Sequence, residues 1–194
     1  MNAAGPSEQI HVQSLRLASG SEALVARVVA RDGVAGFGFT LGPEAYVARE
    51  LAAWDARARR ASVPLFRLLG AGEARSVAFR SDPQPPFAPD WHALEQALAE
   101  RRLPRLSVDL WAWGGIAPAQ RAATLAEQAG IEISFVAPHA HPWEIAVCAA
   151  LAAACSGSAC VAFAAGDPAP IAVPQAPGLG VGWEIEAGFA ALEW

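Results

Sequence analysis

No lysine occurs anywhere in the 194 residues; all 14 basic side chains are arginine. That single absence excludes Schiff-base catalysis, a lysine general base and the lysine of a phosphate-binding P-loop. Cysteine is scarce and odd in number: Cys148, Cys155 and Cys160 lack the paired spacing of a metal site. Cys148 and Cys155 lie seven residues apart, on one helical face, with no adjacent base to mark a nucleophile. They read as small apolar core residues of a reducing compartment. A net charge of −5 without a basic cluster speaks against nucleic acid or an anionic membrane as partner. The most apolar stretch, Ile145 to Cys155, is too short to span a bilayer. The opening MNAAGPSEQI lacks the apolar centre of a signal peptide, so a cytoplasmic protein is expected. Histidine is also rare, and two of the four stand together in FVAPHAHP, residues 135–142.

What is present is apolar and patterned. Hydrophobic residues make up 54% of the chain, enough for one large domain or two small ones. Residues 8–40 read as an antiparallel meander, in which EALVARVVA and VAGFGF are joined by Arg31-Asp32-Gly33, a hairpin signal. A helix follows. Pro43 suits its first turn, and Val47, Leu51, Trp54 and Ala58 recur at i, i+4, i+7 and i+11. Val77 to Arg80 reads as a short strand and the proline-rich SDPQPPFAPD as a linker. Asp90 is placed to cap a helix carrying Leu94, Ala97 and Leu98 on one face.

From there strand and helix alternate. LSVDL, IEISFVA and ACVAF read as strands, with helices over residues 118–129 and 142–155 between them. Such alternation with short links builds a parallel sheet whose sites lie beyond the C-terminal strand ends. Asp109, Trp111 and Trp113 follow one strand, and His139 and His141 follow the next. Adjacent parallel strands bring both groups to one rim, so Asp109 and His139 are expected within hydrogen-bonding reach. His139 and His141 form H-x-H, a pattern open to Zn²⁺ with Asp109 or Glu144, but Pro138 and Pro142 make it a turn, and no metal site is expected. Trp111 and Trp113 are candidates to line a substrate pocket with His141, or to fill space left by missing strands.

These segments carry a family resemblance. DLWAWGGI, followed by RAATLAEQAGI and APHAHP, resembles the late barrel strands of the mandelate racemase/muconate lactonising family of the enolase superfamily. LAAWDARARRASVPLFRLLGA, residues 51–71, resembles the end of that family's N-terminal capping domain, and DGVAGFGF its sheet. PGLGVGWE, residues 177–184, resembles the segment that returns to the cap. The resemblance implies an α+β capping domain (antiparallel meander plus helix) at 1–76, a partial α/β (βα) barrel at 77–172 and a returning segment at 173–194. It further implies abstraction of the proton α to a carboxylate, a bound Mg²⁺ that stabilises the enediolate, and a histidine base oriented by an aspartate. Those last two roles fall on His139 and Asp109.

A full barrel of this type takes about 250 residues, whereas roughly a hundred are left here, enough for about four βα units and so about half the strands. The gap falls between Val77–Arg80, which resembles the first barrel strand, and Leu106–Asp109, which resembles a late one. In the family the intervening strands carry the lysine motif and the three metal-binding acids. Mg²⁺ requires clustered oxygen ligands, and Asp82, Asp90, Glu95 and Glu100 do not end strands, while Asp167 comes late after the last one. No cofactor is therefore expected. The expected protein is a degenerate homologue, non-catalytic or repurposed to bind a small ligand such as a carboxylate. The alternatives are a racemase or acid-sugar dehydratase using the His139–Asp109 dyad, and a purely structural or interaction protein. Half a barrel exposes sheet edges and apolar surface, from which a homodimer is expected.

Overall fold

The protein is described from a computed structural model covering residues 9–17, 19–81, 87, 90–156, 159–164 and 169–181. It divides into two compact units, residues 1–68 with 176–194, and residues 69–175.

The first unit begins with β1 (Gln9–Arg16), β2 (Glu22–Val29) and β3 (Ala35–Thr40), antiparallel in the order β1-β2-β3. The β2–β3 turn forms at the Asp-Gly signal: Gly33 takes φ +83°, its N–H donates to Ala30 O at 2.9 Å, and Ala30 N donates to Val34 O at 2.9 Å. Helix α1 (Ala45–Arg60) lies on this sheet. Val47, Leu51 and Ala58 of the expected stripe are buried, and Trp54 is the exception. Trp54 sits at the flank, half-buried, with Nε1 donating to Glu50 Oε1 at 2.6 Å and the Arg57 guanidinium 5.1 Å over its ring. The surface that meets the sheet is Ala48, Ala52 and Ala56, four residues apart, set against Gly36 and Gly38 of β3. Ala26 and Val28 of β2 pair with those glycines in register, and Val12 of β1 packs beside them. Small residues on both surfaces let the helix backbone approach the strand backbone closely. Stripe reading favours large apolar side chains and passes over this arrangement.

A short helix α2 (Leu65–Leu68) ends the segment, and the C-terminal part of the unit returns to it. Gly178 N donates to Val63 O at 3.1 Å, Leu65 N donates to Gly178 O at 2.9 Å, and Pro64 bridges Gly178. Asp55, buried in α1, completes the seal. Its Oδ1 accepts from Leu179 N at 2.7 Å; its Oδ2 accepts from Phe37 N at 2.9 Å and from Arg59 Nε at 2.6 Å. Burial pushes the Asp55 carboxyl up, against the pull of Arg59 and the two N–H groups.

The second unit holds β4 (Ser76–Arg80), α3 (Trp91–Ala99), β5 (Arg105–Val108), α4 (Leu110–Trp113), α5 (Ile116–Gln128), β6 (Glu132–Val136), α6 (Pro142–Ala154), β7 (Ala159–Ala162) and β8 (Ile171–Ala172). Asp90 caps α3 as its position suggested, Oδ1 accepting from Ala93 N at 3.1 Å. The strands form one sheet in the order β5-β6-β7-β4-β8, parallel except for β8, which pairs with β4 antiparallel. Helix α5 packs on β5 and β6, and α6 on β6, β7 and β4. Leu106, Ser107 and Val108 of β5, Ile133 to Val136 of β6 and Cys160 to Ala162 of β7 are all buried, so both faces of these parallel strands are covered. At the outer edge of β5, Phe87 N donates to Ser107 O at 2.9 Å. The outer edge of β4 carries β8.

Candidate functional site

The C-terminal ends of four neighbouring parallel strands define one rim. The residues that follow β4, β5, β6 and β7 directly are Ser81, Asp109, Ala137 and Phe163. Asp109 is thus the single carboxylate among these four positions, and its chemistry is local. The strand stops at Val108, and Asp109 becomes the N-cap of α4, with Oδ1 accepting from Trp111 N at 2.9 Å and Ala112 N at 3.3 Å. Aspartate is among the best side chains for this task. Gly114, in the left-handed region at φ +91°, closes the turn, and Gly115 N donates to Leu110 O at 2.7 Å. Trp111 and Trp113 sit on the one-turn helix, 6% and 5% exposed. Trp113 meets Trp91 of α3 edge-on at 4.7 Å, and Arg121 of α5 stacks 4.5 Å over Trp91.

The loop after β6 carries both histidines, and they do different things. His141 is the N-cap of α6, its Nδ1 accepting from Trp143 N at 3.3 Å while its ring stands edge-on to Trp143 at 4.9 Å. A nitrogen that accepts carries no proton, so the cap holds His141 as the Nε2–H tautomer. Between the histidines Ala140 is forced to φ +51°, a left-handed conformation uncommon for a residue with a Cβ. His139 faces outward with 56% of its side chain exposed, while its partner Glu144 is 1% exposed. Glu144 Oε1 lies 2.8 Å from His139 Nδ1, and Glu144 Oε2 accepts from the His139 backbone N at 2.9 Å. Asp109 and His139 lie at the same end of adjacent strands; the carboxylate holding the histidine ring is nevertheless Glu144. A sequence signal for it existed: glutamate at the third position of a proline-started helix commonly reaches back to the preceding backbone.

Among the described residues, no three of the His, Cys, Asp and Glu side chains stand together as a metal site would require. Glu95 and Glu100 are on or beside α3, paired with Arg121 at 3.9 Å and Arg102 at 2.6 Å; Glu132 opens β6 at the far end of the sheet and pairs with Arg105 at 2.5 Å. The described residues therefore do not fit Mg²⁺ held by three acids. Asp82 and Asp167 lie outside the described residues.

Cys148 and Cys160 are buried and Cys155 is partly buried. Burial, with Glu144 and Asp109 nearby, holds the Cys148 thiol well above its ordinary range, and burial with Glu127 pushes Cys155 up to about 12. Thiolates are the reacting species. At neutral pH, Cys148 and Cys155 in the native protein are expected to resist an aromatic disulfide reagent that titrates the urea-unfolded chain fully. Rapid stoichiometric labelling of either in the native state would contradict the upward shift of their thiols.

The fold is that of the mandelate racemase/muconate lactonizing enzyme structures. The one from Bordetella bronchiseptica superposes with a TM-score of 0.72 at 15% identity, over 95% of this chain and 98% of that one. The L-talarate dehydratase of a Polaromonas species, solved with Mg and L-glucarate, gives 0.65 at 15% identity, over 92% and 95%. A dipeptide epimerase from Enterococcus faecalis gives 0.67 at 14% identity, over 89% and 98%. The neighbours are racemases, epimerases and dehydratases of the enolase superfamily. No family model and no curated protein sequence matches the chain. No described helix is long and apolar enough to cross a membrane.

Proposed function

We propose that this chain is a shortened relative of those enzymes in which the second unit is a partial (βα) barrel of about half the usual strands. In this reading the Mg²⁺-dependent abstraction of an α-proton has been lost, and the rim serves a non-catalytic or repurposed role toward a small carboxylate ligand. Homodimerisation belongs to the same proposal. The pairing of β4 with β7 supports the barrel: the first and last parallel strands of the unit are neighbours, as they are where a barrel closes on itself. The observation that carries the functional reading is the identity of the strand-end residues. Ser81, Asp109, Ala137 and Phe163 offer one carboxylate, and it caps a helix. A positioned general base contributes about 10²–10⁴-fold, whereas whole enzymatic accelerations start near 10⁶-fold. The base alone leaves the carbanion without a stabilising charge.

One observation favours a second reading, an active racemase or dehydratase. His139 is exposed at the rim and held by a buried carboxylate, as a general base would be. A third, an interaction protein without ligand, predicts no small-molecule binding at all. Solvent exchange of a substrate α-proton decides between the first two. With Mg²⁺ present, mandelate and acid sugars are expected to show no deuterium incorporation above buffer, and calorimetry no specific Mg²⁺ binding. Mg²⁺-dependent exchange that His139→Asn abolishes would restore the enzyme.

A further inference from the structure

We infer that Glu144 is the positioning residue of His139 and fixes which ring nitrogen carries the proton, a role that the family resemblance assigns to Asp109. The inference rests on hydrogen-bond polarity and holds whether or not a reaction is retained. The His139 backbone N–H can only donate, and Glu144 Oε2 accepts from it at 2.9 Å. The other oxygen, Oε1, lies 2.8 Å from Nδ1. Ionised, the carboxylate has only acceptors to offer, so Nδ1 must carry the proton. The lone pair of the neutral ring then sits on Nε2, the nitrogen not bound to Glu144. His139 is thereby presented to the rim as a proton acceptor at Nε2. Two residues on, His141 is held in the opposite tautomer by its own cap. The loop displays one imidazole of each kind.

Glu144 is well placed to impose this. It stands on the first turn of α6, where the helix dipole favours a negative charge, and it is almost fully buried. Asp109 instead gives Oδ1 to two backbone N–H groups of α4. A capping role alone would leave the ring indifferent to Glu144→Gln, since glutamine serves this helical position as well. The tautomer assignment demands something else. Glutamine has one acceptor and one donor at its tip. The backbone N–H of His139 must keep the oxygen, so the amide NH₂ faces Nδ1 and forces it to accept. The proton moves to Nε2, and the outward nitrogen becomes a donor.

Ring ¹⁵N shifts of the full chain, labelled at histidine and recorded with the rings neutral, test this. His139 is assigned by the signal missing in His139→Asn. In the unsubstituted protein Nδ1 is expected at the protonated, pyrrole-type shift and Nε2 at the pyridine-type shift. Glu144→Gln is expected to exchange the two shifts, and Asp109→Asn, which keeps a good cap, to leave them in place. A pyridine-type Nδ1 in the unsubstituted protein overturns the inference without recourse to a variant. So does an exchange caused by Asp109→Asn, or a folded Glu144→Gln with the original order. Because no substrate enters the measurement, its failure is distinct from failure of the functional reading.

Discussion

Gly38→Ala is expected to be among the most damaging single-methyl changes in the protein, costing roughly 3 kcal/mol. A Cβ at Gly38 would fall on the carbonyl oxygen of Ala48 and the amide nitrogen of Ala52; one at Gly36 would meet Ala52 O and Ala56 N. These are backbone atoms of α1, so no side-chain rotation relieves the overlap, and the helix must lift off the sheet. Lifting it uncovers Ala26, Val28, Ala48 and Ala52, which are all buried. Urea unfolding of the first unit, followed through Trp54, measures the loss. Gly33→Ala is the control. It has nothing within 4 Å of its new Cβ and carries only the left-handed φ of +83°, worth about 1 kcal/mol. Equal midpoints for the two variants would mean that α1 does not rest on the glycines.

Asp55→Ala is expected to be of similar size, about 3 kcal/mol, for an electrostatic reason. The carboxylate is the shared acceptor for Phe37 N in β3, Leu179 N in the returning segment and the Arg59 guanidinium, and the alanine variant leaves all three without it. Because Leu179 is 124 residues away in sequence, the loss should free that segment first. Limited proteolysis is then expected to clip near residue 180 well before the body of the unit is cut. Uniform digestion with no early C-terminal clip would show that Gly178 and the strand-like contact at Pro64 suffice to hold it.

The contrast between these two predictions shows what the sequence made legible. The alternation of strand and helix after residue 100, the Asp-Gly hairpin and the Asp90 cap follow from periodicity and turn chemistry, and the structure has them. Asp55 stands within the A-x-W-D pattern whose resemblance pointed to a capping domain, so its position was visible although its three donors were not. The glycine–alanine contact was hidden because small residues leave little mark on an apolar periodicity. At the rim, Asp109 and His139 could be placed on neighbouring strands by counting elements. Whether Asp109 would serve the histidine or its own helix was a competition between a distant partner and two adjacent N–H groups. Proximity in the chain decided it. Glu144 then held the ring from a helix turn five residues away in sequence. Trp111 and Trp113 follow from the same event, since both stand on the turn that Asp109 caps.

The pairing of β4 with β7 also governs the order in which the protein can be made. A ribosome releases β4 early in the second unit, yet the strand that joins it to the rest of the parallel sheet comes after β5 and β6. Local helices and the β5–β6 pair can form as they emerge, whereas β4 must wait for nearly all of its unit. The first unit waits longer still, because Leu179 reaches Asp55 from 124 residues further along the chain. Both units are thus completed by late-arriving residues, and a nascent chain halted before residue 159 carries a strand with no parallel partner and a buried acid short of one donor. Residues 159–179 supply the missing partners, strand β7 for β4 and the Leu179 N–H for Asp55.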